Sequence, residues 1–108
     1  MVLPDTDLVS IATEFRDAIV GSTSSTRQCA IVCYPLAGYL HFLGITVYVE
    51  VTLLRRTTHV WIRLPDGRAL DPTVDQFDPS LPPVYLGPRL EMHYAKRRTV
   101  LPRPRRRS

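Results

Sequence analysis

The 108 residues are 44% apolar and 22% charged, enough for one globular domain with one modest core. The two cysteines, Cys29 and Cys33, do not make a disulfide framework and point to a reducing compartment. The formal charge of +4 misleads: Lys96, Arg97, Arg98, Arg103, Arg105, Arg106 and Arg107 supply seven of the 14 basic residues, and residues 1–95 carry the other seven against ten acids.

The start of the chain lacks a basic segment followed by an apolar run, so no secretory leader is expected. The stretch Ala30–Val49 is the richest in apolar residues, but Tyr34, Pro35, Gly38, His41, Gly44 and Thr46 interrupt it too often for a membrane span. A first helix is expected to run to about Val20, capped by Asp5, Thr6 or Asp7. Leu8, Ile11, Ala12, Phe15 and Ile19 share one face at helical spacing, with Glu14, Arg16 and Asp17 facing away. Gly21 ends it, and a polar loop runs to Gln28.

Cys29–Leu43 reads as a second helix, apolar nearly all round and so central and buried, closed by Gly44. Pro35 conflicts with this, since a proline in a helix interior costs ~3 kcal/mol. Either the helix kinks near Ile31 or regular helix starts only at about Tyr34. Ile45–Leu53 alternates as a strand, with Ile45, Val47, Val49, Val51 and Leu53 on one face and Thr46, Tyr48, Glu50 and Thr52 on the other.

The segment from His59 to Phe77 carries a tight hairpin. Val60, Ile62 and Leu64 alternate with His59, Trp61 and Arg63. Leu64-Pro65-Asp66-Gly67 suits a type I turn followed by a left-handed glycine. That loop pairs Leu64 with Arg68, Arg63 with Ala69, Ile62 with Leu70 and Trp61 with Asp71. His59 and Asp71 then become diagonal neighbours on one face, roughly 7–8 Å apart at the backbone. A two-residue loop on Asp66-Gly67 would instead drive Asp71 into the core.

Beyond Phe77, prolines 79, 82, 83 and 88 predict an extended surface wrap with a short edge strand at Val84–Leu86. Leu90–Tyr94 is a last turn or strand. The expected division is a single domain over residues 1–95 and a basic, disordered tail over residues 96–108.

A cysteine at a helix start has its thiolate favoured by the helix dipole. Cys29 sits where the polar loop gives way to the apolar helix, with His59 available as base and Asp71 as the group that orients it. Cys33 is the alternative nucleophile if Pro35 marks the first turn, and otherwise a core residue. Gln28 and Gln76 are candidate oxyanion donors or site supports. Trp61 is a candidate wall of the substrate cleft or a cover for the sheet. His41 reads as a satisfied structural histidine, and His93 carries no signal. Cys29, Cys33 and His59 would make three zinc ligands, but that set leaves Asp71 idle, so no metal and no cofactor are expected.

From Cys29 to about Tyr85 the chain resembles the small bacterial and phage transglutaminase-like proteins of the papain-like cysteine protease superfamily. The matching features are the Cys29 helix ending in Leu43-Gly44, the alternating strand, His59-Val60-Trp61, the Pro65-Asp66-Gly67 turn, Leu70-Asp71-Pro72-Thr73 leading to Asp75-Gln76-Phe77, and Leu81-Pro82-Pro83-Val84-Tyr85. The resemblance implies an α+β fold with a papain-like core, its N-terminal helices packed on a small antiparallel sheet. It also implies a Cys29–His59–Asp71 triad acting on amide or thioester carbonyls through an acyl-enzyme. Two departures from the family's pattern are Pro35 and Cys33.

The expected function is therefore a thiol hydrolase or acyltransferase on a protein or peptide substrate, in the cytoplasm of a bacterial or phage-infected cell. A partner protein completing so small a site is a further expectation. The alternative is an inactive relative serving as a binding module, its arginine-rich tail holding nucleic acid or another anionic partner.

Overall fold

The computed structural model describes residues 3–20, 29–54, 57–94 and 97–100. Helices α1 (Asp5–Ile19) and α2 (Cys29–Phe42) precede strands β1 (Tyr48–Leu54), β2 (Thr57–Arg63), β3 (Ala69–Asp71), β4 (Tyr85–Gly87) and β5 (Arg97–Val100). Single 3-10 turns lie at Val74–Gln76 and Glu91–His93. The strands form one antiparallel sheet in the order β4-β3-β2-β1-β5. The chain is thus α+β, with two helices and a small antiparallel sheet, and among the described residues no helix is long and apolar enough to cross a membrane.

α1 buries Leu8 and Ala12 and half-buries Ile11, Phe15 and Ile19, the face its spacing predicts. Pro4, rather than Asp5, Thr6 or Asp7, stands at the N-cap, with no side-chain cap bond. Asp5 and Asp7 lie in the first turn instead, where they meet the positive end of the helix dipole. Arg16 does not face away. Its side chain is only 12% exposed and reaches the loop after β3.

α2 is helical from Cys29 onward with Pro35 inside it, so regular helix does not wait for Tyr34. Burial of Val32, Cys33, Leu36, Ala37 and Leu40 on one face offsets the backbone bond that Pro35 forgoes. The helix is not buried all round, as its composition predicts. Ile31 is 54% and Phe42 78% exposed, with Tyr34 and Tyr39 also open, because α1 and the sheet cover only one side. His41 is exposed too, which removes it as a buried structural histidine. Gly44, at φ 87°, ends the helix as a Schellman cap: its own N–H donates to the His41 carbonyl (3.0 Å) and that of Ile45 to Leu40 (3.0 Å).

The hairpin has the predicted register. Ile62 pairs with Leu70 and Arg63 with Ala69, and the Leu64 N–H donates to the Arg68 carbonyl at 2.9 Å. Gly67 takes φ 93° and donates to Leu64 at 2.9 Å. β1 begins at Tyr48; of the expected apolar face, Val47 just before the strand and Val49 within it are buried, but Leu53 is exposed. Glu50 and Thr52 on its other face are fully buried, beside Trp61 and His59 in register. The sheet therefore has two covered faces. The second is capped by the turn that carries His93, an element without a periodic signature.

The basic segment is not all tail. Arg97–Val100 forms β5, paired with β1 from Val49↔Val100 to Thr52↔Arg97, which corrects the expectation of disorder from Lys96. Joining a sheet edge needs free backbone donors and acceptors, not apolar side chains, so composition gave no warning. Residues 101–108 lie outside the described residues. The predicted edge strand at Val84–Leu86 forms one residue later, as β4.

Candidate active site

The hairpin register sets the first contact. His59 on β2 places Nε2 2.6 Å from Oδ2 of Asp71 at the end of β3, and both side chains are fully buried. The other carboxylate oxygen, Oδ1, accepts the Thr73 N–H at 3.1 Å, an Asx-type bond two residues on. Burial pushes the Asp71 carboxyl toward protonation. The His59 charge and the hydrogen bonds from His59 and His93 outweigh it and hold the pKa below the usual carboxylate value.

Cys29, the first residue of α2, brings its thiol within hydrogen-bonding reach of the His59 imidazole, the Gln76 amide and the backbone N–H of Val60. Burial works against ionisation, but those three donors prevail, and the thiol's pKa lies below its ordinary value. Burial likewise presses the His59 pKa down. The Asp71 carboxylate and the Cys29 sulfur overcome this and raise it to about 9. The two shifts are in opposite senses and both favour a thiolate–imidazolium pair over the neutral thiol and imidazole. Cys29 is buried at 6% exposed, and His59 and Asp71 are fully enclosed.

Cys33 takes no part in this. Its thiol donates to the Val60 carbonyl at 3.2 Å, and burial, then the Asp71 and Cys29 charges, raise its pKa well above normal. It cannot join Cys29 and His59 around a metal while it points at a backbone carbonyl. Among the described residues, the group that does converge is His59, Asp71 and His93. The two nitrogens stand 2.6 and 2.8 Å from one oxygen, which is hydrogen-bond spacing. Ligands around a zinc ion at ~2.0–2.1 Å stand farther apart, at about 3.3 Å. As it stands, the group is joined by hydrogen bonds, with two imidazoles on one carboxylate oxygen.

Gln76, from the 3-10 turn after Asp71, places its amide nitrogen 2.8 Å from His59 Nδ1. With Nε2 committed to Asp71, Nδ1 is the nitrogen that faces the thiol. An amide nitrogen only donates, so this contact belongs to the neutral ring with Nδ1 bare; when Nδ1 is protonated, the Gln76 amide turns its oxygen to it. Phe77 packs edge-on against that ring, 4.7 Å between centroids. Trp61 does not wall a cleft. It is fully buried, its ring 4.6 Å from that of His93. Gln28 lies outside the described residues.

Two site residues escaped the sequence. Arg16 donates to both oxygens of Asp75 (3.0 and 2.9 Å), to the Pro72 carbonyl (2.8 Å) and to the Pro83 carbonyl (3.2 Å). It clamps the loop that runs from Asp71 to Gln76. His93 is fully buried and reaches Asp71. Neither lies near the triad in sequence. The one available hint for Arg16 was its place on α1 beside Phe15, on the rim of the apolar face. Comparisons with family models, curated proteins and solved structures give no match to this chain.

Proposed function

We propose that this chain is a thiol-dependent hydrolase or acyltransferase, transglutaminase-like within a papain-like core, in which Cys29, His59 and Asp71 act as nucleophile, acid–base and orienting carboxylate. The observation that carries this is the unbroken line of contacts from the Cys29 thiol at a helix start, through His59, to an Asp71 oxygen 2.6 Å from the imidazole. A core cysteine packed for volume alone has no need of an imidazole that a buried carboxylate holds in one orientation.

The Cys29 thiolate attacks the carbonyl carbon of an amide or thioester, and the carbonyl electrons move onto oxygen. The Gln76 amide and the backbone N–H groups of the first turn of α2 are the candidate donors to that oxyanion. As the tetrahedral centre collapses, the bond to the leaving nitrogen or sulfur breaks, and His59 gives that atom its Nδ1 proton. The acyl group now rests on Cys29. Water or an amine then attacks, surrenders a proton to His59, and restores the thiol when the acyl–sulfur bond breaks. Asp71 stays ionised throughout.

The test is acid-quenched intact-mass analysis of the full chain mixed with a simple acyl thioester or a glutamine-containing dipeptide. An acyl adduct is expected on Cys29, present in Cys33→Ala and absent in Cys29→Ala. If no adduct forms with either donor, and both thiols alkylate at equal, slow rates whatever stands at position 59, the proposal fails.

A further inference from the structure

The acid side of this site holds a second histidine. His93 Nε2 lies 2.8 Å from Asp71 Oδ2, the same oxygen that faces His59. Its other nitrogen, Nδ1, accepts the backbone N–H of Leu90 at 2.9 Å. A ring nitrogen that accepts carries no hydrogen, so the ring proton is on Nε2 and points at Asp71. The turn Glu91–His93 thus writes the tautomer into the backbone. Packing fixes the plane of the ring: Trp61 lies 4.6 Å from it, His59 6.1 Å and Tyr85 6.3 Å, centroid to centroid. His93 is fully buried on a face of the sheet that an apolar side chain would fill at less desolvation cost.

We infer that His93 is a positioning residue of the thiol site, a fourth member that acts through Asp71 and sets how strongly the carboxylate holds the His59 proton. This rests on the proposed triad. The groups facing Asp71 are His59 on β2, His93 on its turn and the Thr73 N–H; those facing His59 are Asp71, Cys29 and Gln76. Oδ2 receives two hydrogens and Oδ1 one. An oxygen that shares its lone pairs between two donors is a weaker base toward each. His93 therefore keeps Asp71 ionised while loosening its hold on the imidazolium, whose proton must leave during acyl transfer. It also decides which oxygen faces His59, since a carboxylate pinned at three points cannot rotate.

The first experiment uses the unaltered protein with 15N-labelled histidine. Imidazole nitrogen shifts should show His93 as the Nε2–H tautomer with Nδ1 bare. A proton on His93 Nδ1 would overturn the inference. The second follows thioester turnover against pH. In His93→Phe, which keeps a ring and removes the donor, the alkaline inflection assigned to His59 should rise by about one unit, as loss of a competing donor implies. In the same variant, thioester turnover should fall about tenfold in kcat with KM little changed, the scale of one charge-assisted hydrogen bond. His93→Gln, whose amide both accepts and donates, should restore the profile. If His93→Phe misfolds, His93→Gln compared with His93→Leu and the tautomer measurement still decide. An unchanged inflection and unchanged kcat in a folded variant lacking the donor defeat the inference. If wild-type Cys29 ignores His59→Ala, the triad itself has failed, a separable result.

Discussion

The Arg16 guanidinium on α1 grips both carboxylate oxygens of Asp75, at 3.0 and 2.9 Å, one residue before Gln76. The same guanidinium caps the Pro72 and Pro83 carbonyls, so one side chain ties the first helix to the loop that carries half of the site. Arg16→Ala removes a shared donor from those part-buried acceptors, and a stability loss of about 1–3 kcal/mol is expected. Thermal melts should show it as a fall of roughly 4–8 °C per kcal/mol. Cys29 alkylation should slow as Gln76 loses its seat. Arg16→Lys should recover little, because the contact is bidentate.

The two thiols should differ sharply. Iodoacetamide at pH 6 is expected to modify Cys29 well before Cys33, read by peptide mass. The contrast follows from opposite shifts: hydrogen-bond donors lower one thiol despite its burial, while burial raises the other. His59→Ala removes the positive partner and should slow Cys29 by about tenfold or more. Labelling that favours Cys33 would contradict the placement of both residues.

Turnover should trace a bell against pH. The acid limb reports ionisation of Cys29, whose folded pKa is below its usual 9.0, so activity rises at pH values where an ordinary thiol is still protonated. The alkaline limb falls near pH 9, where His59 gives up the proton that the leaving group needs. Alkylation needs only the thiolate and should not fall there. A turnover profile still rising at pH 10 would mean that His59 is not the acid.

Gly67→Val should be strongly destabilising. A Cβ at position 67 meets nothing within 4 Å, so the cost is purely that of φ 93°, about 1–2 kcal/mol for an ordinary residue and more for a β-branched one. Gly67→Asn should cost less. Equal melting temperatures for the valine variant and the parent would remove the basis for the hairpin register.

Truncation before Arg97 should lower stability, because β1 then loses the partner along Val49–Thr52. A chain ending after Val100 keeps that strand and should melt higher than one ending at residue 96. If the two melt together, β5 adds nothing to the fold in solution.

Local rules were enough for the hairpin. A proline-led turn and one left-handed glycine set the pairing, and strand alternation then put His59 and Asp71 on one face and fixed their reach. The start of α2 at Cys29 was legible as a change from polar loop to apolar run, and the Schellman end at Gly44 as a glycine after the last apolar turn. What sequence could not supply came from contacts between distant segments. Arg16 is 59 residues from Asp75, and His93 is 22 from Asp71. No periodicity links such pairs, because they are joined by side-chain hydrogen bonds across packed layers and not by the repeat of a helix or strand. Pro35 misled because a local penalty of ~3 kcal/mol is smaller than the burial of a whole helix face. The basic strand β5 misled because an open sheet edge recruits backbone, and charge says little about that. Sequence therefore determined which residues are candidates for the chemistry and how two of them meet. Tertiary structure decided which cysteine joins them, and which buried side chains hold the carboxylate in place.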